Sequence, residues 1–461
     1  MAGPPFKVII VGGSIAGLSL AHCLHKAGID NIVLEKRSEI AADEGTSVAI
    51  MPNGGQILEQ LGLYDTVENL VEPMHVVHVR FPDGFQFSNP YPKTMHDAFG
   101  FPMIFLERQL LLRVLYDSYP EKSNIHVNRN VVHVGHLEND GVVVYTQSGH
   151  SYKGALLVGA DGVHSQVRTQ MWGIADKVRP GLVTSDEKTG MTVGYACIFG
   201  ISSAVPELRI GHLHLSVYDG VSFIVAPGTR GRVSWFVVLK LDRTFQYGSA
   251  PRFTPADGAS RCEQLKDMYI WNDVRFEELW KSRKVFSMTS LEENIFQTWH
   301  CGRIVCIGDS MHKMTPNLAQ GANCSIEDAA SLANALYEFL RSGKLLHRPS
   351  DRQVDDLLCQ FNEMQLARIS NIYKASRAVV RLQTRENLFW KLLLRYYVPY
   401  AGDYPTERAL KILENAAVLR FVPSPQLTEH RVILPTKKQT HMVLWIGVAV
   451  ALPLLLWAFL I

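Results

Sequence analysis

Two turns of small residues, almost three hundred positions apart, hold the residue types that could do chemistry in this chain. They are Val8-Ile9-Ile10-Val11-Gly12-Gly13-Ser14-Ile15-Ala16-Gly17 and Ile304-Val305-Cys306-Ile307-Gly308-Asp309. In the first, small residues after an apolar run let a pyrophosphate rest against backbone N–H groups at a helix start, where the macrodipole favours negative charge. Glu35, eighteen positions after Gly17, can bind the hydroxyls of an adenosine ribose. In the second, a fully apolar strand delivers Asp309 at its carboxyl edge, where a carboxylate can accept hydrogen bonds from a ribityl chain. Each turn alone also fits an ordinary strand-turn-helix unit. Together they describe one extended flavin gripped at its two ends.

The elements that must position these groups follow from periodicity. An apolar strand over 6–11 leads into a helix with Leu18, Ala21 and Leu24 on one side and Gly28 as its stop. A second strand over 31–34 presents Glu35. The middle glycine of the G-x-G-x-x-G spacing is Ser14, which adds bulk where phosphates come closest. Downstream, PNLAQGAN (316–323) reads as a loop whose amides, including those of Gly321, Ala322 and Asn323, face the flavin's pyrimidine edge, and 325–340 reads as a helix. Between the two turns, a β-rich stretch over 131–144 with the turn Asn139-Asp140-Gly141 leads to the buried strand and tight turn ALLVGADG (155–162), followed by Ser165 and Arg168. A second β-rich region over 192–241 is a candidate substrate lobe containing Tyr195 and Tyr218. From about 351 to 419 the pattern is helical.

Composition excludes several classes. A net charge of +2 without a basic run argues against a nucleic-acid partner. Seven scattered cysteines fit no disulfide framework, and Cys301 and Cys306 have no partner pair at zinc-ligand spacing, so no metal site is expected. The apolar run MVLWIGVAVALPLLLWAFLI (442–461) has the length of a bilayer core and follows Lys437 and Lys438. It reads as a single-pass transmembrane tail anchor at the endoplasmic reticulum, with the catalytic domain facing the cytosol.

Four motifs in order carry a resemblance: GGSIAG with Glu35, Arg108 within LERQLLLRVL, GADGVHSQVR, and GDSMHKMTPNLAQGAN. From about residue 6 to 340 the chain resembles the single-component FAD-dependent monooxygenases, the aromatic-hydroxylase-like family. More narrowly, VGGSIAGLSLAHCLHKAGIDNIVLEKR and EGTSVAIMPNGGQILEQLGLYD resemble fungal flavoproteins that epoxidise prenyl chains in meroterpenoid and indole-diterpene biosynthesis. The resemblance implies FAD as cofactor, NADPH as transient electron donor, and oxygen transfer from a flavin C4a-hydroperoxide. It implies that Glu35 holds the ribose, Arg108 the phosphates and Asp309 the ribityl chain, with the backbone near Ala322 beside the isoalloxazine and Ala49 where the chain passes the flavin. It places Asp161 and Arg168 near the pyrophosphate. Ser310-Met311 replaces two usual alanines, and Ala319 a frequent glycine.

The expected fold is α/β: a Rossmann-like FAD-binding domain (1–180 and 291–345) interleaved with a β-sheet substrate lobe (181–290), a helical C-terminal region (346–436) and the transmembrane tail (442–461). The expected reaction is epoxidation of an alkene in a hydrophobic prenylated substrate by O2, with Tyr195 and Tyr218 orienting the oxygen donor or the substrate's polar head, and His312 behind the Asp309 turn. Two alternatives stand beside it: a phenol hydroxylase of the same family, and a non-catalytic prenyl-binding carrier.

Overall fold

The structure, a computed structural model, describes residues 6–42, 46–137, 141–341 and 349–423. A six-stranded sheet is built in the order His300–Cys301, Ile304–Cys306, Leu156–Gly159, Val8–Val11, Asn31–Leu34 and Ile125–His126. Apart from the antiparallel edge pair at 300–306, neighbouring strands are parallel. Val8–Val11, Asn31–Leu34, Leu156–Gly159 and Ile304–Cys306 are buried at every position, as strands covered on both faces must be. The parallel register gathers the residues after these strands, Gly12, Glu35, Asp161 and Asp309, at one carboxyl edge, where open α/β sheets take their ligands.

A second, eight-stranded sheet runs His312–Lys313, Arg283–Ile295, Thr192–Ser203, Arg232–Gln246, Val221–Gly228, His212–Tyr218, Val76–Arg80 and Gln86–Asn89. Its last two strands come from the first stretch assigned to the cofactor domain, and Val76–Arg80 joins in parallel to His212–Tyr218. Val77, Val79 and Phe81 alternate with His78 and Arg80, the period of a half-buried strand, and the three apolar side chains are buried together. At the other end, Asn294 and Ile295 pair with Lys313 and His312, which welds this sheet to the Asp309 turn. One face packs against helices over 255–281 around Trp235 and Phe276. The other meets a small two-stranded sheet, Ser47–Ile50 with Ile104–Glu107, and the loop at Ala319.

The 33-residue helix Asp351–Gln383 opens the expected helical region, capped by Ser350 and Gln353 in reciprocal hydrogen bonds. The membrane-anchored placement is corrected. Among the described residues no helix is long and apolar enough to cross a membrane. The two longest are interrupted by charge: Gly321–Arg341 by Glu327, Asp328 and Glu338, and Asp351–Gln383 throughout its length. The run 442–461, on which the expected anchor rests, lies outside the described residues.

Candidate active site

The first turn is built by close approach. Gly12 has φ +109°, and a Cβ there would lie 2.3 Å from the Ala160 carbonyl oxygen. Gly17 lets the helix Ile15–Ala27 start against the strand, since its Cβ would lie 1.9 Å from the Gly12 oxygen. The helix ends at Gly28 in a left-handed conformation, as the sequence predicts. No acidic residue occupies its first turn, so the N-terminal N–H groups face no carboxylate of their own helix. Glu35 is buried at the end of the neighbouring strand, where its carboxylate accepts the Gly13 N–H at 2.6 Å and the Arg37 N–H at 2.9 Å.

Ser14, the departure from the glycine spacing, has a partner the sequence did not reveal. Its hydroxyl accepts a hydrogen bond from Arg108 Nη2 at 2.7 Å. Arg108 opens the helix after Ile104–Glu107, with its backbone N–H on the Thr46 carbonyl at 2.9 Å. The added hydroxyl thus anchors a guanidinium at the Gly12–Ser14 turn.

Asp309 sits in a single helical turn, Gly308–Ser310, and accepts Lys313 Nζ at 2.5 Å. Burial pushes its carboxyl upward, but the Lys313 charge and hydrogen bond, with His312 and Arg108 behind them, outweigh it and hold the carboxyl below the usual range. That Arg108 acts on Asp309 brings the two turns, distant in sequence, into one electrostatic site. Lys313, four positions after Asp309, escaped the sequence reading; its spacing to Asp309 was the available signal.

The expected loop 316–323 is shorter than predicted. Cys324 N–H already bonds to the Gln320 carbonyl, so Gly321, Ala322 and Asn323 form the first turn of the helix Gly321–Arg341 rather than a loop. A Cβ on Gly321 would lie 4.0 Å from Asp309 Oδ1, which sets that carboxylate beside the helix N-terminus. Asn323 is fully buried and works as a tie: its amide donates to the Ala49 and Ala319 carbonyls at 3.0 and 2.7 Å, and its oxygen accepts the Met51 N–H at 3.0 Å. Ala49 is thereby fixed opposite the helix start. Ala319, with φ +56°, carries left-handed strain that a glycine would not. We expect Ala319→Gly to leave the melting temperature within about 4 °C of wild type, relief of strain being offset by chain entropy; limited proteolysis of this loop should become faster.

Asp161 and Arg168 are engaged within the protein. Asp161 accepts Ser165 Oγ at 2.5 Å and the N–H groups of Gln166 and Val167 at 2.7 and 3.1 Å. Arg168 donates to the carbonyls of Ser310 and Val163 at 2.5 and 2.8 Å and lies over Phe296, 4.4 Å from the ring centroid. It clips the Asp161 turn to the Asp309 turn.

The two tyrosines separate. Tyr195 lies on the sheet face toward Met51 and Ala319, beneath Arg381 at 5.7 Å, and burial raises its phenol's pKa against the opposing pull of that guanidinium. Tyr218 lies on the other face, in contact with Phe223 and the 269–275 hairpin, and its hydroxyl donates to the Tyr269 carbonyl at 2.9 Å. The structure therefore does not bring Tyr218 to the cofactor edge. Strand parity is the reason: Val217 faces the cofactor side, so its neighbour cannot. Tyr218→Phe should lower the melting temperature by about 2–4 °C through one lost hydrogen bond, while flavin content and turnover stay at wild-type levels.

Two helix starts whose own first turns carry no acid, the Glu35 carboxylate, an arginine at the Gly12–Ser14 turn and a second carboxylate at the same edge form a set that fits FAD. The FAD binding domain family matches residues 5–351. The chain belongs to that family and is an FAD-dependent monooxygenase. It is 53% identical to the FAD-dependent monooxygenase spyC of Aspergillus fumigatus over 422 residues, covering 92% of this chain and 89% of spyC. It is 48% identical to olcE of Penicillium canescens, also named an FAD-dependent monooxygenase, over 98% of this chain and 97% of that one. The fold matches the crystal structure of Klebsiella pneumoniae HpxO complexed with FAD and uric acid with a TM-score of 0.69 at 20% identity, covering 88% of this chain and 96% of HpxO. With relatives at this level, the carrier alternative falls: the protein is an enzyme.

Proposed function

We propose that this FAD-dependent monooxygenase takes electrons from NADPH and adds one oxygen atom of O2 to an alkene in the prenyl chain of a meroterpenoid or diterpenoid intermediate, giving an epoxide. Bound FAD supplies electron transfer and oxygen activation. The turn at Gly12, Gly13 and Ser14, with Gly17 behind it, would hold the pyrophosphate together with Arg108. Glu35 would hold the ribose and Asp309 the ribityl chain, while Ala49, Gly321 and Ala322, tied by Asn323, would border the ring. Asp161 would act on the pyrophosphate region through the turn it caps.

What supports the substrate class is an apolar cluster packed between the Met51–Ala319 side and the eight-stranded sheet. The cluster combines Met51 and Met103 from the cofactor side with Leu213, Val217, Ile224, Phe236 and Val238 from the sheet, all buried. On the adjoining strand Glu293 is engaged by Arg377 and Arg381, each at 3.8 Å. Oxygen transfer to an alkene needs no base to deprotonate the substrate, whereas a phenol gains from one. An unbranched thioether side chain adapts to a flexible hydrocarbon, and the apolar wall keeps water from the reacting carbon. Tyr195, the phenol on this face, would orient the substrate's polar head.

The test is a matched pair of substrates, a farnesylated phenol and its chain-saturated analogue, offered to the FAD-loaded enzyme with NADPH. Product is expected only from the unsaturated chain. Equal oxygenation of the saturated analogue would contradict the proposal and favour ring hydroxylation.

A further inference from the structure

Behind the Asp309 turn lies a buried polar network. Glu327 and Asp328 are adjacent on the helix Gly321–Arg341 and fully buried. Asp328 Oδ2 accepts the Gly308 N–H at 2.7 Å and lies 2.7 Å from His312 Nε2, while Oδ1 accepts Gln365 Nε2 at 2.7 Å. One carboxylate thus grips the turn on both sides of Asp309. The His312 ring, also fully buried, lies 5.5 Å from the Trp299 ring, which leaves it little freedom to turn away. A buried ion pair adds little net stability over apolar residues of the same volume. What it does supply is a fixed orientation for the backbone it grips.

We propose that Asp328 and His312 are positioning residues for FAD: the pair fixes the Gly308–Asp309 backbone so that the Asp309 carboxylate is held ready for the cofactor. The inference rests on FAD residing at the Asp309 turn and not on which alkene is attacked. The charged groups around His312 are Asp328 and Glu327 on the helix behind it, Asp309 and Lys313 on its own turn, Arg368 from the helix Asp351–Gln383 on Glu327 at 3.0 Å, and Arg168 on the Ser310 carbonyl. Burial would lower the His312 pKa, but the charge and hydrogen bond of Asp328, then Asp309 and Glu327, raise it above its ordinary value. The ion pair is therefore complete below about pH 6.5 and is lost as pH rises through the raised value.

The experiment is FAD titration of the apoenzyme between about pH 6 and 9, read by flavin fluorescence, with apoenzyme melting alongside. Wild type should bind more weakly as pH rises through the raised His312 value, by about tenfold, a difference of about 1.4 kcal/mol. His312→Gln and Asp328→Asn should bind weakly already at the lower end and show no step. A pH step unchanged in His312→Gln, or wild-type affinity in Asp328→Asn, overturns the proposal. Should Asp328→Asn melt below the assay temperature, the step in His312→Gln decides alone. Asp309→Ala separates the premise: undiminished FAD binding there removes the cofactor from this turn, whereas weakened binding there with an unaltered Asp328→Asn removes only the positioning role.

Discussion

Gly17→Ala is expected to yield protein that purifies almost without flavin. The new methyl would meet the Gly12 carbonyl oxygen at 1.9 Å and Ile10 Cγ2 at 3.2 Å. The first obstacle is backbone, and it belongs to the turn that must itself hold φ +109°. Either the helix start withdraws from the strand or the Gly12 peptide rotates, and both displace the N–H groups that would face the pyrophosphate. Overpacking of this kind costs about 1–3 kcal/mol, and here the distortion falls on the cofactor's own contacts. Visible flavin absorbance per mole of protein should drop at least about tenfold. Full flavin content would show that the pyrophosphate does not depend on this close approach.

Asp309→Ala has the second largest expected effect, and it acts in two ways. It removes the carboxylate that, on the proposed reading, would accept from the ribityl chain, a loss of about 1.5–3 kcal/mol for a charge-assisted hydrogen bond. It also strands Lys313, whose ammonium is stabilised chiefly by Asp309 against the cost of burial. FAD affinity should fall about a hundredfold, while far-ultraviolet circular dichroism remains that of wild type. Asp309 is ionised throughout the neutral range because its carboxyl is held below the usual value. Protonation therefore reproduces the loss only as pH falls through that depressed value in acid. An affinity unchanged in Asp309→Ala would move the ribityl chain elsewhere.

The cofactor unit was legible because its determinants are local. An apolar strand, a turn of small residues, an apolar helix stripe and a stopping glycine can each be read within about thirty residues, and the structure places them as predicted except that the first strand begins at Val8 rather than at 6. Less was legible where a choice depended on partners distant in sequence. Tyr195 and Tyr218 look alike in a β-rich stretch; which of them faces the cofactor edge is decided by which sheet face the Ser47–Ile50 strand and the Ala319 loop cover. Gly321-Ala322-Asn323 has turn composition, yet Asn323's three hydrogen bonds to 49–51 and 319 recruit it into a helix. Ser14 looked like a defect until Arg108, ninety-four positions on, supplied its partner. Asp161 and Arg168 carried the right motif, but Asp161 caps its own turn through Ser165, Gln166 and Val167 while Arg168 joins that turn to Ser310, a use that motif matching does not disclose. The membrane expectation rested on the length, apolar composition and basic flank of 442–461, which lies outside the described residues; among the described residues no helix is long and apolar enough to cross a membrane.

The most direct measurement of the central claim is the position of the transferred atom. A single turnover of the FAD-loaded, NADPH-reduced enzyme with isotopically labelled dioxygen and a farnesylated phenol should place one labelled oxygen on two adjacent carbons of the prenyl chain, as an epoxide or the diol formed from it by hydrolysis, with the second labelled atom in water. Label on the aromatic ring, with the prenyl alkenes intact, would contradict it.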